Sequence, residues 1–128
     1  MPDELERRPL IGEDGQVIGE ADYLNNALHG KRILRSPAGV KFEEAEYAHG
    51  KLHGRTRAWS ESGQLVQEMH FADGKLDGTY ATWWENGKPK EQGTFRQGSR
   101  VGIYRWFAVD GVVESEHKYP EATLSRSP

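Results

Sequence analysis

Glycine recurs in this chain with a fixed period: Gly15, Gly39, Gly63, Gly87 and Gly111 stand 24 residues apart. Gly30, Gly54, Gly78 and Gly102 keep the same spacing, and so do Gly50, Gly74 and Gly98. Asn26 extends the last series backward; it is the other residue that accepts a left-handed backbone. Tyr23, Tyr47, Phe71, Phe95 and Tyr119 follow in register. Four features sharing one period make the chain a repeat array, in which order comes from stacking neighbouring units.

The units are 24–47, 48–71, 72–95 and 96–119, with a partial unit before them. Together they give an array over 12–119, flanked by an N-terminal tail (1–11) and a C-terminal tail (120–128). Each unit reads as two short strands. Thr79 to Trp84 is rich in β-branched and aromatic residues. Asn86-Gly87 then reads as a hairpin turn because both residues accept positive φ. Lys88 to Phe95 is the returning strand, and Ala72 to Gly78 is the Gly-bounded link into the unit. Two or three glycines per unit would weaken any helix by about 1 kcal/mol each. The fold class that follows is all-β: an elongated single antiparallel meander of 24-residue β-hairpin repeats, about nine strands long. At ~4.8 Å per strand it spans about 40 Å.

Composition sets further limits. Apolar residues make up 35% of the 128 and mean hydropathy is −0.83, so a large closed core is not available. Four Trp, five Tyr and four Phe argue against disorder. A net charge of −3 with a pI near 6.0 gives no support to nucleic-acid binding, and it disfavours anionic membranes. The absence of Cys removes disulfide and thiolate chemistry. Met1 to Arg8 is charged, and no apolar run approaches the ~20 residues that span a bilayer, so a cytoplasmic location is expected.

No catalytic signature is present, so the expectation is a protein that is not an enzyme and needs no cofactor or metal. His49 and His53 sit four apart, with His29 one period before His53. They fall around a Gly-bounded turn rather than on a helix, and read as turn residues. Glu43, Glu44, Glu46, Glu68, Glu91 and Glu114 read as a solvated face, or as an acidic stripe for a basic partner. Aromatic residues carry the stronger signal. Trp59, Trp83 and Phe107 should form one row across the sheet, with Phe71, Phe95 and Tyr119 as a second. Strand parity places Tyr80 and Trp84 opposite Trp83, and Tyr104 and Trp106 opposite Phe107. A single sheet cannot bury both faces, so this cluster calls for a cover, and Trp, Tyr and Arg dominate binding hot spots. The candidate partner-binding residues are therefore Tyr80, Trp84, Tyr104 and Trp106, with Arg55, Arg57 and Arg105 among the same strands. An oligomeric state does not follow from the pattern.

Asp73-Gly74-Lys75-Leu76-Asp77-Gly78, followed by Trp83-Trp84-Glu85-Asn86-Gly87-Lys88, resembles the MORN repeat variant. Gly50-Lys51-Leu52-His53-Gly54 with Trp59, Gly63 and Gln64 is a second copy. Gly98-Ser99-Arg100-Val101-Gly102 with Tyr104, Phe107 and Gly111 is a third, in which Arg100 replaces the usual apolar residue. The earliest copy has Asn26 for the opening glycine and Arg35 where Trp59 and Trp83 stand. Bacterial proteins built almost wholly of this variant are similar to the YwqK-type antitoxins. That resemblance implies an immunity protein that binds and neutralises a cognate toxin encoded nearby by covering its active site. MORN arrays in larger proteins imply an alternative, a scaffold or membrane-associated interaction module.

Overall fold

The computed structural model describes residues 4–121. They form ten strands and no helix: β1 (Glu6–Ile11), β2 (Val17–Leu24), β3 (Ala27–Arg35), β4 (Lys41–Ala48), β5 (Lys51–Trp59), β6 (Leu65–Ala72), β7 (Lys75–Trp83), β8 (Pro89–Arg96), β9 (Ser99–Phe107) and β10 (Val113–Tyr119). They lie side by side in chain order, each antiparallel to its neighbours, in one sheet. The single meander is as the periodicity predicts, with one strand more. The extra strand is Glu6–Ile11, which the pattern assigns to a tail because it lies outside the clean glycine series. It pairs with β2 through Arg8↔Ala21 and Leu10↔Gly19. Pro9 sits in this edge strand, where a residue without an amide hydrogen is tolerated. Most of the expected C-terminal tail lies outside the described residues.

Each glycine series has its own geometric task. The Gly15, Gly39, Gly63, Gly87 and Gly111 series closes three-residue loops. In the fourth loop the Trp84 N–H donates to the Lys88 carbonyl at 2.8 Å and the Gly87 N–H to the Trp84 carbonyl at 2.9 Å. The expected hairpin joins β7 and β8 here and Gly87 has φ 85°, but Asn86 does not take the positive φ expected of it. The physical reason is local. The Asn86 side-chain oxygen accepts the Lys88 N–H at 2.9 Å, an Asx turn that fixes a type I bend followed by one left-handed glycine.

The two-residue mirror-image turns are instead Asn25-Asn26, His49-Gly50, Asp73-Gly74 and Gln97-Gly98, where both residues have positive φ. The strands consequently begin earlier than Thr79 and its equivalents. These turns also lean on the preceding unit. Gly50, Gly74 and Gly98 donate their N–H to the carbonyls of Leu28, Leu52 and Leu76 at 2.7, 2.8 and 2.7 Å. His49 donates its N–H to His29 Nδ1 at 3.0 Å, Asp73 to His53 Nδ1 at 3.2 Å and Gln97 to Asp77 Oδ1 at 3.0 Å.

The remaining series marks bulges. Gly54 has φ 114°, and His53, Gly54 and Arg55 all stand opposite the single residue Glu46. The Glu46 carboxylate accepts the Arg55 N–H at 2.6 Å, and Asp22 accepts the Lys31 N–H at 3.1 Å one unit earlier. His70 holds Thr79 Oγ1 at 3.0 Å in the next unit. A polar side chain therefore satisfies backbone or hydroxyl groups where the ladder is interrupted. Glu46 belongs to this device rather than to a free acidic stripe.

Two unlike faces result. Cross-strand register puts Ala21, Arg32, Ala45, Thr56, Met69, Tyr80 and Gly93 in one row. Tyr23, Leu28, Tyr47, Leu52, Phe71 and Leu76 form a second row on that same side, the aromatic face. The opposite, charged face carries Glu20, Ile33, Glu44, Arg57, Glu68, Ala81, Gln92, Arg105 and Glu116 in register. Ala21, Ala45 and Tyr104 are almost wholly buried on the aromatic face, whereas Ile33 is buried among ion pairs on the other.

Candidate partner-binding face

The aromatic face thickens toward the C-terminal end because one residue is missing a side chain. Gly93 lies beside Tyr80, and a Cβ built on it would collide with the Tyr104 ring, with Cγ only 2.9 Å away. The phenol therefore lies down over bare backbone. Tyr80 and Phe95 flank it at 6.3 and 6.2 Å between ring centroids, Trp106 lies tilted against it at 4.7 Å and Tyr119 meets it edge-on at 6.3 Å. Such pairs contribute about 0.5–1.5 kcal/mol each beyond burial. Tyr104 is 1% exposed and donates its hydroxyl to Glu91 at 3.0 Å. Burial, followed by the neighbouring Glu91 charge, pushes its pKa well up.

Arg100 roofs this cluster. Its guanidinium sits 4.3 Å from the Tyr104 ring centroid and 5.7 Å from those of Trp106 and Tyr119. It also donates to the Tyr119 hydroxyl at 3.0 Å, which raises its own pKa. Leu28, Leu52 and Leu76 hold the equivalent position in earlier units. Arg100 replaces a leucine there by laying its planar cation over aromatic rings. Sequence pattern flags the departure but not its use.

Trp84 stands at the end of β7, donates Nε1–H to the Phe107 carbonyl at 3.3 Å, and carries Lys90 Nζ 4.7 Å above its ring. With Tyr80, Thr82, Gln67 and Ala58 it lines a groove of about 470 Å³ along the three-residue-loop edge of the aromatic face. A larger depression, about 940 Å³, is lined by Ile18, Leu34, Phe42, Trp59 and the loop Ser36 to Val40, and includes Arg35, which is bonded to Glu20 of the charged face. Ile18, Val40 and Phe42 are 41, 57 and 39% exposed. Sequence reading missed these residues. The available signal is that Ile18, Phe42 and Val66 share one place in the period.

The predicted site residues thus divide. Tyr80, Tyr104 and Trp106 share the aromatic face, and Trp84 lines its groove. Tyr104, however, is sealed inside the cluster, so it supports the surface rather than presenting itself. Phe95 and Tyr119 belong to this same face, which absorbs much of the apparent aromatic surplus. Arg57 and Arg105 point the other way, bonded to Glu68 at 2.8 Å and Glu116 at 2.6 Å. Arg55 pairs in register with His70 on that charged face, so none of the three arginines joins the aromatic residues in one contact surface.

The carboxylates are dispersed in the same way. Glu44 is held by Lys41 at 2.6 Å and Lys31 at 3.1 Å, and these contacts lower its pKa. Glu20 is lowered by its bond to Arg35. Glu43 faces the other way, toward Arg32 at 3.4 Å. No group of three or more His, Asp or Glu converges as metal ligands among the described residues. His29 and His53 serve as acceptors for turn amides.

Residues 52–73 and 76–97 match the MORN repeat variant family. The two matched segments each run from a leucine after a mirror-image turn to the next such turn, and the units on either side repeat their geometry. No curated protein matches the chain.

Proposed function

We propose that this chain is a cytoplasmic immunity protein that binds a toxin domain made by its own cell and blocks it by occlusion, with no chemistry of its own. The observation that carries the reading is the half-exposed groove of the aromatic face, lined by Tyr80, Trp84 and Glu91, with Trp106 paired across the sheet to Glu91. An open sheet whose apolar face is only partly covered by its own side chains offers a broad surface of the kind partners bury, about 800 Å² a side in a standard interface. The charged face is a weaker candidate, because most of its carboxylates and guanidinium groups already satisfy one another. Repeat construction and the resemblance to antitoxins composed of the same unit supply the toxin as partner.

The test is co-expression with the toxin encoded beside the gene. Growth should be rescued and the two proteins should co-elute. Trp84→Ala and Tyr80→Ala should weaken rescue, whereas Arg57→Ala and Arg105→Ala should not. Absence of both rescue and co-elution overturns the reading.

A second reading, a MORN scaffold module joining other proteins, is favoured by the repeat match itself. It predicts stable capture of a structural partner with no effect on toxin survival.

A further inference from the structure

We infer that a second copy of this chain covers the C-terminal part of the charged face, strands β5 to β10, in a two-fold sandwich whose axis runs along the strands between β7 and β8. Such a dimer leaves the aromatic face free for a different partner.

An apolar band runs along one side of this region. Alternation from Arg57, Ala81 and Arg105 puts Trp59, Trp83 and Phe107 on the charged face, beside the three-residue loops. Register sets Leu65, Pro89 and Val113 against them. Trp59, Leu65, Trp83 and Pro89 are only half-buried, and Val113 is 46% exposed. One unit earlier the same two places hold Arg35 and Lys41, bonded to Glu20 and Glu44. The band therefore begins at β5, while β2 to β4 close their share of the face with ion pairs. Lys41 marks the border, its Nζ 4.7 Å from the Trp59 ring centroid.

Charge supplies the complementarity. One straight row crosses the six strands beside the band: Arg57, Glu68, Ala81, Gln92, Arg105 and Glu116. Its signs run plus, minus, neutral, neutral, plus, minus. Turned about an axis between Ala81 and Gln92, the row lays every cation over an anion. Glu68 meets Arg105 of the second copy, and Arg57 meets Glu116 of the second copy. Turned about an axis across the strands, each charge would meet its own like. Within the chain Arg57 and Glu68 are 2.8 Å apart, and Arg105 and Glu116 are 2.6 Å apart. Each contact therefore joins two neutral pairs into a quartet of alternating sign, which offsets part of the cost of leaving water. Arg55 falls over Lys118 of the second copy, a like-signed contact at the rim, where the twist of the sheets parts them.

Extent and shape agree with this arrangement. Because β10 is the edge of the sheet, the two-fold ends the overlap at β5, where the apolar band also ends. The same rotation sets Trp83 over Pro89 and Leu65 over Phe107 of the second copy, and short Ala81 over long Gln92 at the centre. Six strands of seven to nine residues present about 29 by 27 Å, close to the ~800 Å² a side of a standard interface.

The experiment is light scattering and sedimentation equilibrium of the whole chain, which should give twice the 14.5 kDa of one copy. Two double variants reverse an ion pair without removing it: Arg57→Glu with Glu68→Arg, and Arg105→Glu with Glu116→Arg. Each alone sets like charges together across the two-fold and should weaken self-association at least about a hundredfold. Mixed together, the two variants regain every opposite-signed contact and should form a heterodimer. The variant carrying all four changes should self-associate as the parent does. Circular dichroism should match the parent throughout, because each swap keeps its ion pair within the chain. Tyr80→Ala and Trp84→Ala, on the aromatic face, should leave the mass unchanged. A parent that is monomeric at every concentration overturns the inference. So does a dimer that survives either swap, or a pair of swapped variants that fail to join.

Discussion

Gly93→Ala is the substitution that most directly interrogates how this sheet is held together. Gly93 has no positive φ, so its backbone is one that alanine adopts without strain. On backbone grounds alone the change should stabilise by about 0.4–1 kcal/mol. The structure reverses that sign, since the new methyl group would occupy the space of the Tyr104 ring. The ring has nowhere to go, being bonded to Glu91 and bounded by Phe95, Trp106, Tyr119 and the Arg100 guanidinium. Overpacking of this kind costs about 1–3 kcal/mol, and a trapped ring argues for the upper end. After the backbone gain, the expected net loss is about 2 kcal/mol, or roughly 8 °C in Tm for a chain of this size. The assay is urea unfolding of the four members of a cycle: parent, Gly93→Ala, Tyr104→Ala and the double variant, all in stabilising sulfate. In the Tyr104→Ala background the methyl should become neutral or stabilising, giving a coupling of about 2–3 kcal/mol. If Gly93→Ala is neutral in the parent, with coupling below about 0.5 kcal/mol, the account of the core is wrong.

Thr56 is buried on the aromatic face and its hydroxyl has no hydrogen-bond partner. Thr56→Val should therefore raise stability by about 1 kcal/mol in the same unfolding assay. Tyr104 titrates above the ordinary phenol value of about 10, so the unfolded chain releases this proton first. Its contribution is complete below pH 10 and is lost as pH rises from there toward the folded-state value. Absorbance titration at alkaline pH should show one tyrosine ionising late, and Glu91→Gln should bring it earlier. Asp77 fills the acceptor role that His53 fills one unit before, so His53→Asp should melt close to the parent. His53→Leu should lose about 0.5–1.5 kcal/mol by leaving the Asp73 N–H without that acceptor.

The period of the glycines is enough to predict the meander and its antiparallel order, because left-handed backbone is a requirement that few residues meet. It is not enough to say which glycine does what. Asn86-Gly87 has the spelling of a mirror-image turn, yet the Asn86 side chain stabilises a different bend. Glu6–Ile11 lacks the marker glycines and still pairs, since an edge strand needs a neighbour on one side only. Parity correctly separated Tyr80, Tyr104 and Trp106 from Phe107. The three arginines were grouped with them by nearness in sequence, whereas alternation along the strands sends Arg57 and Arg105 to the opposite face. The sealing of Tyr104 depends on Gly93, in the neighbouring strand, and that contact has no local signature. Ile18 and Phe42 escaped because the surrounding glycines and tryptophans dominate the pattern at that place.

The amides of Gly50, Gly74 and Gly98 all reach backward, to carbonyls of the unit already passed, and His29, His53 and Asp77 receive the amides beside them in the same sense. Every such bend is completed by what precedes it and waits for nothing downstream. A chain leaving the ribosome from its N-terminus therefore meets each acceptor ready in place, and the array can be laid down in the order in which it is synthesised.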